Sequence, residues 1–391
     1  MYMSSSQAKP RKTLMRGVTW DHTRGLLPMV ATSQRFHELF PHIDIAWTKR
    51  SLQEFADKPM DELVREFDLL VIDHPWVGSA SASGMLVDLA ANLPATFLND
   101  ASAHSVGKSY PSYEYGRGLW AIAIDAAAPV SCFRPDLLEK HGLSTPKNWE
   151  DLIELGRKGL VCCPSIPLDV YCNFLNLCAS AGAGLFPDET QIVDRSAGIE
   201  ALERLRELAA VVPASFFAIN PIRACEMMTA ADDFAYCPFI YGYSNYARPG
   251  YARKILAFGA TVAVRPGVAP STMLGGTGLA ISALSENRQT AIEYLKFVAD
   301  PTTQRGIYFQ SGGQPGHRSA WLDPDVNRAA SDYFSATLPS LDAAFIRPRY
   351  AGYVHFQDRA GLPIHSFLCN GGSTGAVLDQ LNALYRESTV T

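Results

Sequence analysis

Polar and aromatic side chains collect around the ends of several short apolar runs that predict strands in this sequence. Carboxylates, imidazoles and amides stand beside tryptophan and tyrosine, a mixture that suits hydrogen bonding to hydroxyl groups and stacking on an apolar face. A carboxylate facing a hydroxylated ligand forms one of the stronger, charge-assisted bonds. The candidate ligand-binding residues are Trp20, Asp21, His22, Asp73, His74, Asp125, Tyr241, Tyr243, Asn245, Gly275, Gly276, Thr277 and Gln314.

Plainer interpretations of these residues stay open. Tryptophan and tyrosine beside a strand end often pack in a core, and an Asp after a strand, such as Asp21, often caps a helix. An enzyme is a second possibility, with Asp21, His22, Asp73 and His74 as general acid and base or as metal ligands. However, no metalloprotease, phosphate-loop or nucleophile-elbow motif accompanies them.

A tyrosine cluster offers a third interpretation. Tyr241, Tyr243 and Tyr246 lie close together in the sequence, and phenolates bind hard trivalent metals such as ferric iron. Tyrosines in such a segment also stack or pack, so no metal ligand and no cofactor is assigned. Turnover assays on sugars, and a visible charge-transfer band on adding iron, would separate these alternatives.

The elements that must position these residues alternate between strand and helix. Asn148 is placed to cap a helix over 149–159, a second helix is predicted over 196–212, and a third begins after Ser285 and ends at Pro301. This alternation predicts α/β lobes with mainly parallel sheets, in which ligands bind beyond the carboxyl ends of the strands. Residues 275–278 are expected to form a glycine loop before the last strand. The strands are predicted over 16–19, 43–47, 69–73, 121–125, 234–237, 255–258 and 279–282.

Composition excludes several classes of protein. The 391 residues make two domains the natural expectation, and a net charge of −5 leaves no basic excess for nucleic acid. No apolar run reaches the roughly 18 residues of a membrane-spanning helix, so an integral membrane protein is not expected. The eight cysteines contain no CxxC pair and mostly sit beside apolar residues, which predicts buried thiols.

Longer stretches of the sequence resemble the family 1 extracellular solute-binding proteins of ABC transporters, a group that includes sugar-binding proteins. The resemblance spans nearly the whole chain, and its order and spacing point to fold and transport role more than to a ligand. The matching segments are RGVTWDHTRG at 16–25, FDLLVIDHP at 67–75, YCPFIYGY at 236–243, GGTG at 275–278 and GGQPGH at 312–317.

The resemblance implies a type II periplasmic-binding-protein-like fold, with two lobes, a ligand cleft between them and three hinge crossings. By position these crossings fall near 124–126, 277–280 and 313–316. Lobe 1 would be 14–124 with 279–313, and lobe 2 would be 126–277 with 315–391. Asp125 lies at a crossing, where the family often places a sugar-binding carboxylate.

The implied function is a receptor that binds a sugar, polyol or related carbohydrate by hinge closure and delivers it to the permease subunits of an ABC importer. If an arginine reaches the cleft, a sugar acid becomes plausible, and Arg248, Arg318, Arg347 and Arg349 are the candidates. The family implies the periplasm. No apolar export signal precedes Arg16, so cytoplasmic retention is the alternative expectation.

Overall fold

The computed structural model describes residues 12–51 and 60–389 of the chain. The expectation about an export signal before Arg16 rests mainly on residues 1–11, which lie outside the described residues. Within the described ranges, no helix combines the length and the apolar character that crossing a membrane requires.

Ten strands and their connecting helices, as found in the described ranges, alternate along much of the chain. The strands are β1 (Thr13–Trp20), β2 (Ile43–Arg50), β3 (Leu69–Ile72), β4 (Glu114–Tyr115), β5 (Gly118–Leu119), β6 (Ile122–Ala127), β7 (Pro129–Phe133), β8 (Tyr236–Tyr241), β9 (Ala257–Gly259) and β10 (Gly275–Ile281). The helices are α1 (Thr23–Leu39), α2 (Met60–Glu66), α3 (Val77–Ser83), α4 (Leu89–Asn92), α5 (Ala95–Ala103), α6 (Ser109–Ser112), α7 (Pro135–Lys140), α8 (Trp149–Arg157), α9 (Pro167–Ser180), α10 (Arg195–Ala209), α11 (Pro221–Ala230), α12 (Arg288–Ala299), α13 (Pro301–Thr303), α14 (Arg318–Trp321), α15 (Pro324–Ala329), α16 (Tyr333–Asp342), α17 (Tyr353–Asn370) and α18 (Thr374–Thr389). Short 3₁₀ segments occupy His74–Trp76, Ala214–Ala218 and Ser244–Ala247, and a π-helical turn covers Gln304–Tyr308.

Local signals place the predicted helices well. The Asn148 side chain accepts a hydrogen bond from the Asp151 amide at 2.9 Å, which caps α8 as expected. Helices α10 and α12 confirm the other two predictions, and the helical run after Ser285 breaks at Pro301, where a new short helix starts.

The two larger sheets differ in strand direction. In the first, ordered β2-β1-β3-β10-β6, strand β1 runs parallel to β2 and β3, whereas β10 is antiparallel to β3 and β6. In the second, ordered β8-β7-β9, both pairings are antiparallel. The prediction of mainly parallel sheets is therefore wrong for the second sheet, whose central strand β7 was not recognised in the sequence.

Two hydrophobic clusters lie on either side of the crossings, which confirms the two-lobed α/β fold. The first contains Met15, Leu70 and Ile124, and the second contains Leu152, Phe174 and Phe258. Along the chain, packing changes from one cluster to the other between Ile124 and Ala126, between Leu274 and Leu279, and between Tyr308 and Phe309, and Val106 alone among the buried residues before Ile124 packs in the second cluster. The last change comes five residues before the predicted crossing at 313–316. We retain the predicted lobe boundaries as a proposal.

The three crossing segments lie side by side at Asp125. This residue is opposite Thr277 in the antiparallel β6–β10 pair and forms an isolated antiparallel bridge with Pro315. Gly276 has φ +97°, and a Cβ there would lie 2.4 Å from the Asp125 carbonyl oxygen, so only glycine fits. Residues 275–278 are thus part of β10, and their prediction as a loop is wrong.

The second core is rich in cysteine. All eight cysteines are free thiols, and seven are buried while Cys369 is exposed. Cys132 on β7 lies opposite Cys237 on β8. The expectation that these residues serve as buried apolar side chains is therefore confirmed for seven of them.

Candidate ligand-binding site

A buried arginine connects helix α1 with the hinge. His22 caps α1, with its Nδ1 accepting from the Arg24 amide at 3.0 Å. The Arg24 guanidinium binds both carboxylate oxygens of Asp125, with Nε donating to Oδ2 at 2.8 Å, and Nη1 donates to the Gly242 carbonyl at 3.0 Å. Burial lowers the pKa of Arg24, but the neighbouring Asp125 raises it by more, so the guanidinium stays charged. Through these charge-assisted bonds Arg24 links α1 to β6 and to the end of β8.

A second ion pair spans the two clusters. Asp73 follows β3, and its Oδ1 accepts from the His74 amide at 2.8 Å, which caps the 3₁₀ turn. Arg347 Nη2 donates to the two Asp73 oxygens at 2.7 and 2.6 Å, while its Nη1 donates to Gln357 at 2.8 Å. Burial alone would raise the pKa of Asp73, but Arg347 and His74 hold it well below its usual range. Asp73 is therefore an anion that joins the two lobes.

His74 is a buried neutral imidazole beside this pair. It is 1% exposed, and its Nδ1 lies 3.2 Å from Asp73 Oδ1. Burial and the nearby Arg347 lower its pKa to about 4, so the ring is neutral at pH 7. Its Nε2 has no hydrogen-bond partner, which leaves one polar atom available to a ligand.

Asp169, in the first turn of α9, is a buried carboxylic acid that sequence reasoning missed. It is 8% exposed, its Oδ2 has no hydrogen-bond partner, and burial raises its pKa to about 8. In the sequence it follows Pro167 at the start of a helix, where an acid is expected for favourable interaction with the helix dipole, so nothing marked it as unusual. A buried acid without a partner is costly unless a ligand binds it.

Tyr241 lies among these groups. Burial raises the pKa of the Tyr241 phenol well above its usual value. The pKa is raised further by the nearby Cys172, Asp73 and Asp169 and is lowered by Arg347. Its ring also lies against Gly275, where a Cβ would come within 2.5 Å of the Tyr241 Cε1 atom. The phenol is therefore close to charged groups from both sides of the hinge.

Tyr243 and Thr277 complete the polar surface near the hinge. The Tyr243 ring lies 4.8 Å from the Arg24 guanidinium carbon and packs edge-on against His22 at 4.7 Å. The Thr277 hydroxyl is buried and has no hydrogen-bond partner. Like Asp169 Oδ2 and His74 Nε2, this oxygen is free to bind a hydroxylated ligand.

A groove of about 530 Å³ adjoins Arg347. Tyr115, which packs against the first cluster, lies on one wall, and Phe345, which packs against the second, lies on another. Pockets for small molecules have volumes of roughly 300–1,000 Å³. Arg347 is the only residue of the two ion pairs that lines the groove, and His74, Asp169 and Thr277 do not line it.

Other predicted residues have structural partners. Trp20 packs in the first cluster with its ring against Gly25, and exposed Asp21 pairs with Lys49 at 3.0 Å. Asn245 Nδ2 donates to the Gly312 carbonyl at 3.0 Å, whereas its buried Oδ1 has no hydrogen-bond partner. Gln314 Nε2 donates to the Ala126 carbonyl at 2.7 Å, and its Oε1 accepts from the Ser244 amide at 2.9 Å. Asn245 and Gln314 therefore hold backbone around the third crossing.

The arginines considered for a sugar acid are also engaged by the protein. Arg248 donates to the carbonyls of Phe309 and Gly313, each at 2.7 Å. Arg318 pairs with Asp342, and Arg349 donates to the Pro111 and Glu114 carbonyls. In the tyrosine cluster, the buried Tyr246 hydroxyl donates to Glu226 at 2.8 Å.

Comparison with known proteins places this geometry in context. The family model described as bacterial extracellular solute-binding protein matches residues 64–305. A protein from Deinococcus radiodurans named a probable ABC transporter-binding protein is 24% identical over 342 residues, which cover 81% of this chain and 78% of that one.

Solved structures share the fold across almost the whole chain. Maltose-bound MalE3 from T. maritima superposes with a TM-score of 0.82 at 19% identity, covering 96% of this chain and 99% of that one. A solute-binding protein of an ABC transporter from Agrobacterium radiobacter K84, in complex with ribitol, gives a TM-score of 0.83 at 18% identity, covering 97% and 100%. The matched family model, which covers more than half of the sequence, shows that the chain belongs to the bacterial extracellular solute-binding proteins.

Proposed function

We propose that this protein is the receptor of an ABC importer and binds a neutral sugar or polyol between its two lobes. The observation that carries the proposal is the set of unsatisfied polar atoms at the junction: Asp169 Oδ2, His74 Nε2 and Thr277 Oγ1. Each buried polar atom without a partner costs about 1–3 kcal/mol, so a ligand that supplies partners is favoured.

The chemistry of these atoms suits hydroxyl groups. A hydroxyl both donates and accepts, so one ligand can donate to Asp169 and Thr277 and exchange a hydrogen bond with His74. The rings of Tyr241 and Tyr243 add flat apolar surface for the C–H face of a sugar. The related proteins that bind maltose and ribitol are consistent with a polyhydroxylated ligand.

A neutral ligand is favoured over a sugar acid. The Nη atoms of Arg347 are occupied by Asp73 and Gln357, which leaves only its buried Nε without a partner, and the three other candidate arginines bind carbonyls or Asp342.

Contacts across the junction support closure of the lobes around the ligand. Besides the Asp73–Arg347 pair, Ser79 Oγ donates to the Ala351 carbonyl at 3.1 Å, and the Tyr251 hydroxyl lies 3.3 Å from Thr23 Oγ1. The ends of these contacts lie in different proposed lobes, so they form when the lobes approach and are lost when the lobes separate. The hinge would be the three crossing segments around Asp125.

A thermal-shift screen over monosaccharides, polyols and sugar acids tests the proposal. A ligand present at 100 times its dissociation constant stabilises the folded protein by about 2.7 kcal/mol, which is readily detected. We expect a neutral sugar or polyol to raise the melting temperature, and expect Asp169→Asn to weaken its binding in calorimetry. Stabilisation by sugar acids alone, or no effect of Asp169→Asn on the affinity, would overturn the assignment.

The proposed partners and location follow from the family. A receptor of this type passes its ligand to the permease subunits of an importer, which requires a place outside the cytoplasmic membrane. We therefore propose the periplasm or the extracellular side. Fractionation of the source cells tests this: recovery of the native protein only with cytoplasmic markers would refute the location and leave the binding assignment intact.

A further inference from the structure

Two histidines and a carboxylate meet beside the third crossing, away from the interlobe site. Asp100 lies on α5, His104 follows four residues later at the end of that helix, and His317 caps α14. One donor atom from each lies within 4.8 Å of the other two. Among residues 12–51 and 60–389, no other group of three or more His, Cys, Asp or Glu side chains comes as close.

His317 presents an unused nitrogen to this group. The residue is 7% exposed, and its buried Nε2 has no hydrogen-bond partner, although Asp100 Oδ2 lies 3.5 Å away. His317 Nδ1 accepts from the Ser319 amide at 3.2 Å, the bond that caps α14, and also lies 2.8 Å from Ser319 Oγ. A metal at Nε2 would therefore shift the ring proton to Nδ1, which would give up the capping bond and donate to Ser319 Oγ, the usual arrangement for a ligating histidine.

His104 supplies the second imidazole. Its Nδ1 lies 2.8 Å from Asp100 Oδ1 and 3.1 Å from the Asp100 carbonyl, so Nε2 is the nitrogen left for coordination. The ring stacks on that of His317, with centroids 5.1 Å apart. In stacked rings the nitrogen lone pairs point in parallel directions and do not converge on one ion. Coordination of a single metal by both histidines therefore requires the His104 ring to turn. Its half-exposed side chain gives it room to do so.

We propose that Asp100, His104 and His317 bind a divalent transition-metal ion of the zinc type. Two imidazoles and one carboxylate are a donor set that suits Zn²⁺, and three protein ligands leave a fourth position for water. Donors about 2.0–2.2 Å from a tetrahedral ion are about 3.4 Å apart, so binding would turn the His104 ring and draw the three side chains together from separations of up to 4.8 Å.

The position of this group gives the metal a structural consequence. Partly buried Phe97 and Leu98 of α5 pack against the first cluster, whereas Trp321 of α14 belongs to the second. Ser105 and His317 form a β-bridge, and the Arg318 amide donates to the His104 carbonyl at 2.7 Å. A bound ion would therefore tie the two sides together beside the hinge.

Calorimetric titration of the full, tag-free chain with ZnCl₂ tests this site. We expect one strong equivalent in the native protein and at least about tenfold weaker binding in His104→Gln, whose exposed side chain should leave the fold intact. His141→Gln, at the exposed end of α7, is the matched control and should bind as the native protein does. Co²⁺ in place of zinc should give visible absorption bands that His104→Gln lacks. No strong zinc binding by the native protein, or equal binding by His104→Gln, would overturn the proposal.

Discussion

Arg24 binds both carboxylate oxygens of Asp125 at the residue where the three crossing segments lie side by side. Both side chains are buried, so the attraction between the two charges offsets the hydration that each loses on folding. Asp125 was predicted from the sequence as a ligand-binding carboxylate, and in the structure its oxygens hold Arg24. If it affects ligand binding, we expect it to do so by fixing Arg24 and the hinge.

Replacing Arg24 with Ala should destabilise the protein by about 3–5 kcal/mol, because the Asp125 carboxylate would remain buried without its partner. Urea unfolding of the native and variant proteins measures this loss. Lys49→Ala, which removes the exposed Lys49–Asp21 pair, is the control and should cost less than about 1 kcal/mol. Similar small losses in both variants would show that the Arg24–Asp125 pair adds little.

Asp169→Asn should change how stability depends on pH. The pKa of Asp169 is raised from 3.8 to about 8 in the folded protein, so the unfolded chain releases this proton first. The contribution of Asp169 to the free energy of unfolding is therefore largest below pH 4. It is lost as the pH rises toward 8, by up to about 1.4 kcal/mol per pH unit. Unfolding free energies measured from pH 4 to 8 should fall less steeply in Asp169→Asn. Parallel curves would contradict the burial of the acid.

His74→Gln should act in the opposite direction. Because the pKa of His74 is lowered from 6.5 to about 4, the unfolded chain takes up this proton first as pH falls. The native protein should therefore lose stability between about pH 6.5 and 4, by up to about 1.4 kcal/mol per unit. In the variant this contribution is absent, so the stability difference between the two proteins should change across that window and stay constant above pH 7. A constant difference throughout would exclude His74 as the titrating group.

Arg347→Gln should loosen the contact between the lobes. It removes the charge-assisted bonds to Asp73, each worth about 1.5–3 kcal/mol, so ligand affinity should fall by about tenfold or more. Small-angle X-ray scattering without ligand should show a larger radius of gyration, since fewer contacts hold the lobes together. Arg318→Gln removes the pair with Asp342, which lies within the second proposed lobe, and should change neither quantity. Equal effects of the two substitutions would argue against a special role for the Asp73–Arg347 pair.

Much of the fold could be predicted because local signals act within short segments. The Asn148 cap, the helix break at Pro301 and the alternation of apolar runs with helices all depend on neighbouring residues. Strand direction and partners depend on residues far apart in sequence, so the antiparallel second sheet was not visible. Strand β7 is short and begins with Pro129, a residue that argues against a strand in sequence interpretation.

The site was less predictable for a related reason. Asp73 and His74 were proposed from the sequence because both follow a buried strand, whereas Asp169 resembles an ordinary acid at a helix start. Arg24 did leave a signal, since a single charge at the apolar start of α1 needs a buried partner. The partner, Asp125, lies 101 residues away, and only the folded chain shows that they meet.

The distribution of cysteines also allows unfolding to be measured by labelling of the native thiols. With Cys369 exposed and the other seven buried, a membrane-impermeant maleimide should add one label to each intact molecule and eight to each unfolded one. Intermediate mass increments would then reveal partial opening of the cysteine-rich second core. Pulse labelling and mass spectrometry could follow that opening without an engineered probe.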